Sequence, residues 1–158
     1  MPVIPLTTAQ IRASLRSGYS LDPADQFTYS IPGAGSTWET TDGNYDIDNP
    51  QPTTGYSTFD ATQAANFVAA ITAWDDLIDP DFVAVADDIS GHGEVRGAFT
   101  SHNMGGGTAG YAFQGSNQTP TSLVGDVWIN SNSTGATFAY GTADYQTFLH
   151  EVGHVLGL

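Results

Sequence analysis

The sequence contains no cysteine and no lysine. The first absence excludes disulfides, thiolate metal sites and cysteine nucleophiles together. The second leaves Arg12, Arg16 and Arg96 as the only cations against 17 acidic residues, a formal net charge of −14 over 158 residues. So few cations exclude tight phosphate binding, and no nucleic acid is expected as a partner. Polybasic attachment to a membrane surface is excluded on the same ground. Long hydrophobic runs are missing too: nothing approaches the roughly 18 apolar residues of a membrane span, so no membrane partner is expected. The opening Met1-Pro2-Val3-Ile4-Pro5 lacks the basic n-region and apolar h-region of a cleavable secretory signal.

What is present reads as one domain. Hydrophobic residues make up 40% of the chain, enough for a core, and 18 glycines imply many turns. Ile11 and Leu15 at helical spacing predict a short helix within residues 6–21. Gln26 to Ile31 alternates apolar and polar residues and predicts a strand, stopped by Pro32 and Gly33. Residues 33–58 show no period and read as a long loop. Asp60 is a good N-cap for a helix from Ala61 to about Ile78, whose Phe67, Ile71, Trp74 and Ile78 form one stripe. Four short strands are predicted next, Phe82–Ala86, Val95–Thr100, Thr108–Phe113 and Gly125–Asn130. A last helix starts near Ala143 and runs to Leu156, with Phe148, Val152, Val155 and Leu156 on its buried side. Trp74 and Trp128 read as core residues.

The strongest chemical signal is His150-Glu151-Val152-Gly153-His154-Val155-Leu156-Gly157. Positions i and i+4 share one helix face, about 6 Å apart along the axis, so two imidazoles there can converge on one zinc ion. A carboxylate one residue after the first histidine reaches a zinc-activated water without becoming a ligand, and takes its proton as that water attacks a peptide carbonyl. Gly157, three residues after the second histidine, lets the chain leave the helix sharply.

Other clusters are weaker. Asp42, Asn44, Asp46 and Asp48 alternate as calcium loops do, but Ile47 and Thr53 stand where a glycine and an acidic residue belong, so the stretch reads as a solvated acidic turn. His92 and His102 flank a strand without an H-x-D pattern and read as loop histidines. The aspartates between Asp75 and Asp88 read as a solvated face.

The stretch Tyr145 to Leu158 resembles the active-site helix of the serralysins, secreted bacterial zinc endopeptidases of the metzincin clan. Gly125-Asp126-Val127-Trp128-Ile129-Asn130 is similar to the strand upstream of that helix, and Thr108-Ala109-Gly110-Tyr111-Ala112-Phe113 to the sheet-edge strand lining the substrate cleft. Ile11 to Ile31 and the 61–78 helix also fit. The resemblance implies an α+β, zincin-like N-terminal subdomain: a twisted, mostly parallel sheet of about five strands, its edge strand antiparallel, packed with two long helices. It implies His150 and His154 as zinc ligands, Glu151 as general base, and Thr108, Ala109, Gly110, Tyr111, Ala112 and Phe113 as the strand that binds a protein or peptide substrate by strand addition. It further implies an extracellular protein exported without a cleavable N-terminal signal. Residues 1–20 are expected to form a short pro-segment or N-terminal helix, and 142–157 the active-site helix.

The resemblance places a third histidine ligand two residues past Leu158. The Met-turn, the C-terminal subdomain and the calcium-binding repeat domain belong further on, so calcium is expected chiefly with that missing part, which is a candidate partner of this chain. Two imidazoles bind zinc less tightly than three, and the isolated 1–158 chain is expected to be inactive or very weak. The alternative is a catalytically inactive peptide- or protein-binding module derived from such a protease.

Overall fold

A computed structural model describes residues 26–38, 45, 55–78, 80–102, 107–115, 122–132 and 137–158. The expected N-terminal helix lies outside these residues, as does the 42–48 stretch apart from Tyr45. The element order is β1 (Gln26–Ser30), α1 (Ala61–Asp75), β2 (Asp81–Ala84), β3 (Val95–Thr100), β4 (Gly110–Ala112), β5 (Asp126–Asn130) and α2 (Ala143–Val155). The strands form one five-stranded sheet in the order β2-β1-β3-β5-β4. β1 is parallel to β2 and β3, β3 is parallel to β5, and only the edge strand β4 runs antiparallel. The architecture is α+β, a mixed sheet with two helices, as expected.

Local chemistry explains the helix bounds. Asp60 accepts from the N–H groups of Thr62 and Gln63, both at 2.8 Å, and the Gln63 side chain accepts from the Asp60 N–H at 2.8 Å, a complete capping box. α1 ends at Asp75, earlier than the apolar stripe predicts. The N–H groups of Leu77 and Ile78 both turn back onto the Trp74 carbonyl, and the Asp75 carboxylate accepts from the Phe82 N–H at 2.7 Å, redirecting the chain into β2. That aspartate, and Asp87 with its 2.6 Å bond from Ser30, organise turns instead of forming a solvated face.

Both helices cover one side of the sheet. Phe67, Ala70 and Ile71 of α1 and Phe148, Val152 and Val155 of α2 meet Val95, Phe99, Val127 and Ile129, all buried. Strand alternation sends Arg96, Ala98, Asp126 and Trp128 to the opposite side, where Trp38, Tyr45, Tyr56, Tyr111 and Phe113 cover them. Arg96 Nε donates to Asp126 Oδ1 at 2.7 Å, with both side chains buried. Arg96 Nη1 donates to the Thr37 carbonyl at 2.9 Å, and Trp38 lies over the guanidinium at 3.9 Å. Tyr45 donates to Asp126 Oδ2 at 2.7 Å and accepts from Trp128 Nε1 at 3.0 Å. Burial pushes the Asp126 carboxyl up, against the pull of Arg96 and of its hydrogen bonds. Burial, then the neighbouring Asp126 charge, pushes the Tyr45 phenol up, so it stays a donor.

Removing one partner of such a pair leaves the other charge buried and uncompensated. Asp126→Ala is expected to cost about 3–5 kcal/mol in urea unfolding. The double variant Arg96→Met/Asp126→Leu should recover most of that loss.

Candidate functional site

The site follows from the two faces of α2. Thr142 caps the helix, its hydroxyl accepting from the Tyr145 N–H at 3.2 Å. Tyr145, Phe148, Val152 and Val155, at spacings of three, four and three, are buried. The opposite stripe, Ala143, Gln146, Thr147 and His150, faces an open cleft of about 420 Å³ whose other wall is Thr108, Ala109 and Gly110; Glu151 lines its floor. The histidine motif and the start of the predicted substrate strand therefore meet across one cleft.

The two imidazoles converge as the spacing predicts. His150 Nε2 and His154 Nε2 lie 2.8 Å apart. His154 Nδ1 is 3.0 Å from the Leu158 carbonyl. A carbonyl only accepts, so this contact needs a proton on Nδ1, and the tautomer that carries it keeps the Nε2 lone pair for a metal. Nδ1 bound to a carbonyl is the usual way an imidazole is oriented toward a metal. The donor set, two imidazoles aimed at one point, fits half of a zinc site. Among the described residues, no group of three His, Asp or Glu side chains is placed to hold a metal ion.

Glu151 is set differently. Its side chain is only 4% exposed and Oε2 has no hydrogen-bond partner. Burial pushes its carboxyl up to about 7, against a smaller pull from His154. A carboxylate near that value both accepts and releases a proton close to neutrality. Gly110 makes its position possible. A Cβ at residue 110 would stand 3.2 Å from Glu151 Cγ and 3.0 Å from the Trp128 carbonyl oxygen, tighter than side chains normally tolerate.

β4 is shorter than its predicted 108–113 span. The Asn130 N–H donates to the Ala109 carbonyl at 2.8 Å and the Phe113 N–H to the Asp126 carbonyl at 3.0 Å. With Tyr111 opposite Trp128, residues 109, 111 and 113 turn their backbone groups toward β5. The backbone groups of Gly110 and Ala112 face the free edge. Tyr111 and Phe113 pack in the aromatic cluster on the far side of the sheet. Of the six residues expected to bind substrate, three line the cleft, and two offer edge backbone groups.

His92 and His102 stay loop histidines. His92 Nδ1 contacts the Gly93 carbonyl at 2.8 Å, and His102 donates its backbone N–H to Thr100 Oγ1 at 3.0 Å. Trp128 is fully buried, as expected. Trp74, read as core alone, also donates its indole N–H to the Leu149 carbonyl at 3.0 Å. A Cβ on Gly153 would stand 3.1 Å from the Trp74 ring. The glycine inside the histidine motif thus admits the tryptophan that docks α1 on α2, a signal present in the sequence but not paired with Trp74. Compared with protein-family models and with curated proteins, the chain matches none.

The raised Glu151 value has a thermodynamic consequence. An unfolded glutamate titrates near 4.5 and the native one near 7, so the native state binds the proton more tightly. The stability present below pH 4.5 therefore falls as pH rises from about 4.5 to about 7. In chelator-treated protein, Glu151→Gln should lose less stability over that window. The gap should widen by on the order of 3 kcal/mol, read by urea unfolding at each pH.

Proposed function

We propose that the chain is the zinc-binding N-terminal part of an extracellular endopeptidase of serralysin type, acting on protein or peptide substrates. The observation that carries this reading is the convergence of His150 Nε2 and His154 Nε2, 2.8 Å apart, beside the buried, unpartnered Oε2 of Glu151. The metzincin assignment is supported by the antiparallel edge strand facing that helix across the cleft. His150 and His154 would hold zinc, with further ligands supplied from outside the described residues.

When bound, zinc supplies Lewis acidity toward the scissile carbonyl. The chain's own residues do the rest. The free backbone groups of Gly110 and Ala112 hold an extended peptide by strand addition and fix its direction. Glu151, ionised, accepts a proton from the attacking water at Oε2. It then delivers that proton to the leaving amine, which departs as the C–N bond breaks. The low polarity around Glu151 tunes it for both transfers. The Leu158 carbonyl holds the His154 tautomer that leaves Nε2 aimed outward.

Zinc titration of the purified chain by calorimetry tests the reading. One zinc per chain is expected. His150→Ala and His154→Ala should each weaken binding at least tenfold, while Glu151→Ala, which removes no ligand, should leave it within about threefold. Equal zinc affinity in all four proteins would contradict the assignment.

A further inference from the structure

The backbone alternation along β4 breaks at one residue. Gly110 and Ala112 face the free edge, and Thr108 falls in the same register. Its carbonyl should therefore be the next acceptor offered to an added strand. Instead, it accepts from the Asn130 side chain, Nδ2 to O at 2.9 Å. The same carboxamide accepts from the Asn132 N–H at 2.9 Å, and the Asn130 backbone N–H holds the Ala109 carbonyl at 2.8 Å. Asn130 is 4% exposed. Its amide is oriented by Asn132 and aimed at the carbonyl that would otherwise extend the edge beyond Gly110.

We propose that Asn130 is a positioning residue that closes the peptide-binding edge at Gly110 by occupying the Thr108 carbonyl. The inference rests on the strand-addition reading above. An added strand can slip only in steps of two residues if its hydrogen bonds are to be kept. A slip toward Thr108 needs that carbonyl as an acceptor, and Asn130 holds it. The register that remains uses Gly110 and Ala112, and Gly110 is the residue packed against Glu151. Asn130 thereby bars a slip of the peptide past Gly110 on the side of Thr108, without touching the peptide.

Peptide length is the readout, because a merely structural role would weaken short and long peptides alike. A short, uncharged, extended peptide and the same peptide lengthened by two residues at each end are titrated against the full chain. Affinity and backbone amide shifts are followed by NMR. In the wild-type chain the Gly110 and Ala112 amides should respond most, and lengthening should change affinity by no more than about twofold. In Asn130→Ala the freed Thr108 carbonyl should give the longer peptide a roughly three- to tenfold advantage. Asn130→Asp keeps the acceptor for Asn132, loses the donor, and should show the same advantage even if Asn130→Ala does not fold. An unchanged length dependence in a folded variant, or a comparable gain in the wild type, overturns the role of Asn130 alone. A wild-type chain that binds neither peptide, with no response at Gly110 and Ala112, overturns the strand-addition reading and this inference with it.

Discussion

The burial of one stripe of α2 governs the rest of the molecule. Phe148, Val152 and Val155 have to leave water, and the sheet face built by Val95, Phe99, Val127 and Ile129 is where they go. Once that face is down, the helical period allows His150 and Gln146 only one direction, toward the edge strand. Glu151 falls at the boundary between the faces, which is why a carboxylate is almost fully buried while its neighbouring imidazole is exposed. The chemistry of the cleft is thus set by hydrophobic packing several ångströms from it.

The sheet completes the arrangement from both sides. The single antiparallel strand leaves free backbone groups at the edge nearest the histidines, and Gly110 lets that edge approach the helix. On the reverse side, the Arg96–Asp126 pair sits at the start of neighbouring strands β3 and β5. It draws Thr37, Trp38 and Tyr45 down over the sheet. A buried ion pair adds little net stability over apolar residues, but here it ties loop segments to the strand that also carries Val127 and Ile129 under α2. The two faces of β5 therefore serve different ends: one seats the helix, the other anchors loops.

Much of this was legible in the sequence. Alternation located β1 to within a residue, and the short segments set off by turn glycines located β3 and β5 as closely. The i, i+4 spacing placed His150 and His154 together, because a helix leaves no other option. Element ends were less legible. α1 stops at Asp75, although the apolar stripe continues to Ile78, because Asp75 captures the Phe82 N–H, a contact seven residues away that no periodicity reveals. Nothing in the 108–113 stretch shows which backbone groups turn outward, since that depends on the register with β5. The sequence marks Asp126 only as part of a strand, because its partner Arg96 lies thirty residues earlier and pairs with it only through sheet order. The link between Trp74 and Gly153 is hidden for the same reason.

The central claim is that one zinc ion is held by both histidines of α2 in front of the β4 edge. Zinc K-edge X-ray absorption on the zinc-loaded chain tests it most directly. The account predicts two imidazole nitrogens at about 2.0–2.1 Å, with one of them lost in His150→Ala and one in His154→Ala. A shell of oxygen ligands alone, unchanged by either substitution, would contradict it.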